Sequence, residues 1–274
     1  MTIMEIGLQI VFWMGIGVLI VTRLLSWFKI KYPPAIYIVF LVPLLAGLFV
    51  HGYLTLGFIN FTVLFLLSAI IPAVGETLAL KMDLGGGYQY DTRLGPALPG
   101  GLPVIIAVMW AVINIVIFWA VSSTLIALIK TANLSSVNDN KIIFDLIFCT
   151  MGAAFAVIFD LVMDPVMTKG GLWSWKRKGK WHGIPLSNYF GWFISTFMVY
   201  FIYTRFFNLF DPKYFLIFRP SVQILFSLLF SIMLLDLSIT AIERKITGPA
   251  LIGLTFSTGS SILIIFVVLR EISF

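Results

Sequence analysis

Long apolar stretches and short polar ones alternate along the whole of this chain. Eight apolar stretches stand out, at residues 6–25, 35–56, 58–80, 102–129, 142–163, 186–206, 222–239 and 250–268. Each approaches or exceeds the roughly 20 residues that a helix needs to cross a bilayer. Each is also apolar around its full circumference, as a helix touching lipid on one side and neighbours on the other must be. The pattern predicts an all-α, polytopic transmembrane helical bundle of about eight spans, with residues 1–274 as a single transmembrane domain. The second and third spans meet across the stretch 51–57, which carries no Lys or Arg, so they form either a tight hairpin or one broken pair. Gly152, Ala153, Ala154 and Ala156 in the fifth span permit close helix contact. No internal repeat or low-complexity tract is visible.

Composition agrees with the pattern. Apolar residues are 60% of the 274 and charged residues 11%, with a mean hydropathy of +1.05. A soluble domain carries about 25% charged residues, and the segments between spans leave no room for a sizeable one. The net charge of +6 does not point to nucleic acid, because the Lys and Arg sit in loops between apolar runs. They read as topology signals facing anionic lipid. The ends of the first, third, fifth and seventh spans and the segments after them, Arg23 included, hold twelve of the 18 basic residues, and the opposite side, Arg205 included, holds six. The excess places the first set in the cytoplasm and both termini outside the cell membrane. The first apolar run follows the acidic Glu5 and lacks a small-residue cleavage site, so it reads as a retained helix rather than a removable signal. Cys149 is the one cysteine, which excludes an intrachain disulfide and a Cys-based zinc site.

The twelve acidic residues are more telling than the basic ones. Glu76 lies near the end of the third span, with Asp83 just beyond; Asp160 and Asp164 end the fifth; Asp236 lies near the end of the seventh. Those spans run in one direction, so Glu76, Asp160, Asp164 and Asp236 reach a similar depth at one leaflet. Asp160 and Asp164, four apart, share a helix face. An ionisable group within a span is costly and points to function; the plainer alternative is a solvated or Lys-paired acid at headgroup level. That alternative suits Asp139, Asp211, Glu243 and Glu271, and Asp145 reads as a helix-end charge.

Two loops face the same side as these acids. The first, 81–101, reads KMDLGGGYQYDTRLGPALPGG. It lacks the Lys-Ser/Thr ending of a phosphate-binding loop and follows no strand; its Gly triplet instead lets the backbone turn tightly and brings Tyr88 and Tyr90 together. The second, 164–188, reads DPVMTKGGLWSWKRKGKWHGIPLSN. Trp173, Trp175 and Trp181 fit an interfacial aromatic belt, although three within nine residues around a basic run is dense for a belt alone. His182 stands alone in its loop and His51 falls on the opposite side, so no pair of histidines has metal-ligand spacing.

These loops and their flanks carry a resemblance. Glu76, Gly87, Tyr88, Tyr90, Leu94-Gly95-Pro96, Pro103 and Trp110 form one block. Asp160, Asp164-Pro165, Trp173, Trp175, Gly183-Ile184-Pro185, Asn188 and Gly191-Trp192 form the other. Together the blocks resemble the integral-membrane carotenoid biosynthesis proteins, a family that includes carotenoid 1,2-hydratases of the bisanhydrobacterioruberin hydratase type. Where the family usually has Pro-Phe-Gly before the first tyrosine, this chain has Gly85-Gly86-Gly87. The resemblance implies addition of water across the terminal C=C bond of an acyclic carotenoid, with no cofactor. Such a reaction needs a carboxylic acid that keeps its proton near neutral pH, a state favoured by low polarity or a neighbouring carboxylate. It also needs π-faces for a tertiary cation and a base to take the proton of the incoming water. Glu76, Asp160 and Asp164 are the catalytic candidates. Tyr88, Tyr90, Trp110, Trp173, Trp175, Asn188 and Trp192 are the candidates for binding substrate, with Asn188 orienting water. The partners implied are membrane lipid, a linear isoprenoid and water.

Two other readings compete. Asp160-x-x-x-Asp164 beside Lys and Arg superficially fits an intramembrane prenyltransferase holding magnesium-bound diphosphate, yet a doubled Asp-rich motif is absent. Clustered membrane acids also fit a proton-coupled transporter, yet they lie toward one face and no inverted repeat supports it.

Overall fold

The computed structural model describes residues 2–30, 35–131, 141–206 and 220–272; Lys31, Asp139, Asp211, Lys213 and Arg219 lie outside them. Eight α-helices follow in order among the described residues: α1 (Ile3–Trp27), α2 (Ala35–Leu56), α3 (Phe58–Met82), α4 (Val104–Thr131), α5 (Lys141–Lys169), α6 (Leu186–Phe206), α7 (Pro220–Glu243) and α8 (Thr247–Ile272). Six of them (α1, α3, α4, α5, α7 and α8) are long and apolar enough to cross a membrane, and Val42–Leu56 of α2 is a shorter apolar stretch. The chain is an all-α, multi-pass membrane protein. α2 and α3 are separated by Gly57 alone, and beside that break the Phe61 ring packs edge-on against Phe49.

The chain folds into two compact units, Met1–Thr62 with Asp211–Phe226 and Val63–Phe210 with Ser227–Phe274. In the first, α1 packs on α2, and His51 is buried with its ring stacked 4.2 Å from Phe226. In the second, α5 packs against α4, α6 and α8. Its core holds Phe118, Trp119, Phe148, Tyr200 and Tyr203, all fully buried, with the Phe118 ring centroid 5.2 to 6.1 Å from the other four.

Two features depart from the apolar pattern. First, α5 continues past Met163, through Asp164 and Pro165, to Lys169. A proline inside a helix removes the hydrogen bond to the carbonyl four residues back. Here that carbonyl, on Leu161, accepts the indole N–H of Trp181 at 3.0 Å, so the helix survives its proline and Asp164 belongs to it rather than to the following loop. Arg244 supports the end of the same helix by donating to the Val166 carbonyl. Second, the two loops are not separate. Tyr88–Tyr90 (β1) and Trp173–Trp175 (β2) pair as a two-stranded antiparallel ribbon, with Tyr88 opposite Trp175 and Tyr90 opposite Trp173.

Candidate functional site

The ribbon is locked at both ends. Beyond one end, Lys176 and Arg177 donate backbone N–H bonds to the carbonyls of Gly87 and Gly86, and beyond the other Asp91 donates to Leu172. The chain enters β1 through Gly86 and Gly87, at φ +106° and +63°. Side-chain-bearing residues rarely adopt this region, and a Cβ on Gly86 would run into the Pro185 ring. The Arg93 guanidinium joins the strands' flanks by donating to Asp91 at 2.7 Å and to the Gly171 carbonyl at 2.7 Å. These bonds from Arg93 hold the exposed Asp91 carboxyl below its usual range.

Side chains two apart on a strand share a face, so the ribbon presents Tyr88, Tyr90, Trp173 and Trp175 together and turns Gln89 and Ser174 outward. Tyr88 and Tyr90 meet edge to face at 5.5 Å, and Tyr88 lies 4.9 Å from Trp175. The aromatic face looks onto the carboxyl groups of α3 and α5. Glu76 accepts from the hydroxyls of Tyr88 and of Tyr90 (3.1 Å) and, on its other oxygen, from Trp110 Nε1 at 3.2 Å. Burial, and then the nearby Glu76 charge, push the Tyr88 and Tyr90 hydroxyls well above the ordinary tyrosine range, so both stay protonated donors.

Asp160 and Asp164 are buried on one face of α5. The Asn188 amide bridges them, donating to Asp160 Oδ2 at 2.7 Å and to Asp164 Oδ2 at 2.8 Å. Asp164 Oδ1 accepts from Trp173 Nε1 and, at 3.5 Å, from Thr168. Of the six carboxyl oxygens on Glu76, Asp160 and Asp164, only Asp160 Oδ1 has no donor among the described residues. One turn after Asn188, Trp192 stacks on Trp110 with ring centroids 3.8 Å apart.

All ten candidate residues therefore line one cavity of about 30 Å3, completed by Ile106, Met109, Ile113 and Met163. A cavity of that size holds a water molecule or two. Sequence reasoning misses the four apolar residues, although three of them, with Trp110, follow helical spacing at 106, 109, 110 and 113, on one face of α4.

The other acids are elsewhere. Asp83 is exposed and paired with Lys176 at 2.6 Å. Asp145 lies one turn into α5, near its end as the sequence suggests, but it is buried and paired with Lys141 at 2.7 Å and Arg205 at 3.5 Å. Asp236 does not line the cavity with Glu76, Asp160 and Asp164. His182 is exposed, edge-on to Trp181.

The family model described as carotenoid biosynthesis protein matches residues 35–259, a span that contains every residue of the cavity. No curated protein and no solved structure matches the chain.

Proposed function

The chain belongs to the carotenoid biosynthesis protein family, and from that premise we propose that it is a hydro-lyase adding water across the terminal C=C bond of a linear carotenoid. The observation that carries this reading is the cavity. Three carboxyl groups meet there between indole and phenol rings, and one carboxyl oxygen, Asp160 Oδ1, has no donor among the described residues.

The chemistry follows from that arrangement. Protonating the less substituted alkene carbon breaks the π-bond and leaves a tertiary cation. Asp160 suits the donor role, because a proton on its Oδ1 faces no competing hydrogen bond. Glu76 suits a different role: both its oxygens already accept from Tyr88, Tyr90 and Trp110, so it serves as a fixed acceptor near the developing positive charge. The faces of Tyr88, Tyr90, Trp173 and Trp175 steady the cation. Water then forms the C–O bond and gives up a proton to the Asp160–Asp164 pair. The pair ends with as many protons as it began, and the net change is one water added, giving a tertiary alcohol. The cavity fits water as it stands; a branched alkene end enters when Met109 and Met163, the flexible members of its wall, move aside.

The polyene itself lies along apolar helices, which accounts for an enzyme embedded in lipid. The excess of Lys and Arg on the loops beside the cavity supports a cytoplasmic position for it at the cell membrane, with both termini outside.

Co-expression in cells that accumulate lycopene or another acyclic carotenoid tests the reaction. Mass spectrometry should find a product heavier by one water. Its absence, with inserted protein present, would falsify hydration of that substrate.

A further inference from the structure

Next to the acid cavity lies a second hollow, an open groove of about 610 Å3. Lys169 at the end of α5, Lys178 and His182 of the second loop, and Lys245 between α7 and α8 line it, together with Ser174 and Trp175 of β2. No acidic side chain is part of its wall. Neighbouring cations are engaged: Lys176 pairs with Asp83, and Arg177 donates to the Asp83 carbonyl. The side chains of Lys169, Lys178 and Lys245, in contrast, make no hydrogen bond or ion pair among the described residues.

Like charges gathered without a counter-charge repel one another, and an anion bound among them relieves that repulsion. Two further observations agree. α8 begins at Thr247, directly after Lys245 and Ile246 of the groove wall, so the positive end of its dipole adds to the field. Finally, the groove sits where membrane-crossing helices end, with Trp175 in its wall, the setting in which basic side chains meet lipid headgroups.

We infer that this groove is a phosphate-binding site, occupied by the headgroup of an anionic phospholipid or by free diphosphate. Lys169, Lys178 and Lys245 are its cationic contacts, and Ser174 supplies a hydroxyl. The inference rests on the groove alone and does not depend on the hydratase reading.

Native mass spectrometry of the full chain in neutral detergent tests it, with phosphatidylglycerol, phosphatidylcholine and inorganic pyrophosphate as probes. One phosphatidylglycerol should remain bound per chain, with phosphatidylcholine retained at least tenfold less. Pyrophosphate that displaces the lipid, or binds in its place, identifies the free anion as an occupant of the same site. K169Q/K178Q/K245Q should lower occupancy at least tenfold. The matched control K29Q/K81Q/K180Q, which removes the same charge outside the groove, should change it less than twofold. Lys178→Glu alone, on an exposed loop position that does not threaten folding, should cost at least fivefold, and the triple Lys→Arg variant should keep the adduct. Equal retention of the two lipids with no pyrophosphate binding, equal loss in groove and control variants, or no adduct with any probe would overturn the inference.

Discussion

Asp160 and Asp164 are the same residue type, one helical turn apart, sharing one amide donor, yet they are not equivalent. Asp164 has both oxygens engaged, whereas Asp160 has one oxygen turned to the cavity without a donor. Asp160→Asn should therefore abolish hydration, by about 10²- to 10⁴-fold, with the protein still inserted; product formation in a lycopene-accumulating host measures it, and retained activity removes Asp160 from the donor role. Glu76→Gln should also lose activity, because an amide cannot present acceptors to three donors. The tyrosines make a separate prediction. Raised well above the ordinary value of about 10, Tyr88 and Tyr90 stay neutral while exposed phenols ionise. Titration followed by tyrosinate absorbance should show the same amplitude near pH 10 in the native protein and in Y88F/Y90F. A smaller amplitude in the variant would mean that these hydroxyls titrate normally. At this scale Glu76, Asp160 and Asp164 were legible in the sequence because charge is scarce in a membrane helix, whereas Trp110, Asn188 and Trp192 entered only through the family resemblance. What spacing alone could not separate were the roles of Asp160 and Asp164, which depend on hydrogen bonds from α6 and the ribbon. The same limit applied to Asp145, whose partner Arg205 lies on another helix.

The helix that carries both aspartates is held together across a proline by a tryptophan from the loop beyond it. Trp181→Phe keeps the ring but removes the donor to the Leu161 carbonyl, and should cost about 1–3 kcal/mol. Thermal unfolding in detergent measures the loss, and an unchanged midpoint would show that the carbonyl finds another partner. Gly86→Ala should be more local in effect. Its Cβ collides with Pro185 and its φ is strained, so the ribbon should open and activity fall while the helices stay intact by circular dichroism. Helix positions followed from the apolar stretches because lipid enforces them. The end of α5 did not follow, since Asp164-Pro165 reads as a stop unless the distant Trp181 is known to replace the missing bond. The ribbon left a trace that hydropathy obscures: Tyr-Gln-Tyr and Trp-Ser-Trp each alternate with a period of two, the signature of a strand with one face buried.

For the whole molecule, charge bias and site placement make one joint prediction. In a Cys149→Ser background, cysteines introduced by Gln89→Cys and Ser174→Cys, both exposed on the outer face of the ribbon, should react with a membrane-impermeant maleimide only when the cytoplasmic side is opened. Labelling of intact cells would reverse the orientation. All the residues of the acid cavity lie in the second compact unit, so chemistry and charge collect in one part of the chain. The ribbon has a further consequence for engineering this chain. Its rungs join segments that precede α4 and follow α5, and each strand supplies half of one aromatic wall. A graft of 81–101 alone from a relative would set foreign phenols against native indoles and lose the register. The two loops are one structural unit, and exchanging either is expected to require exchanging both.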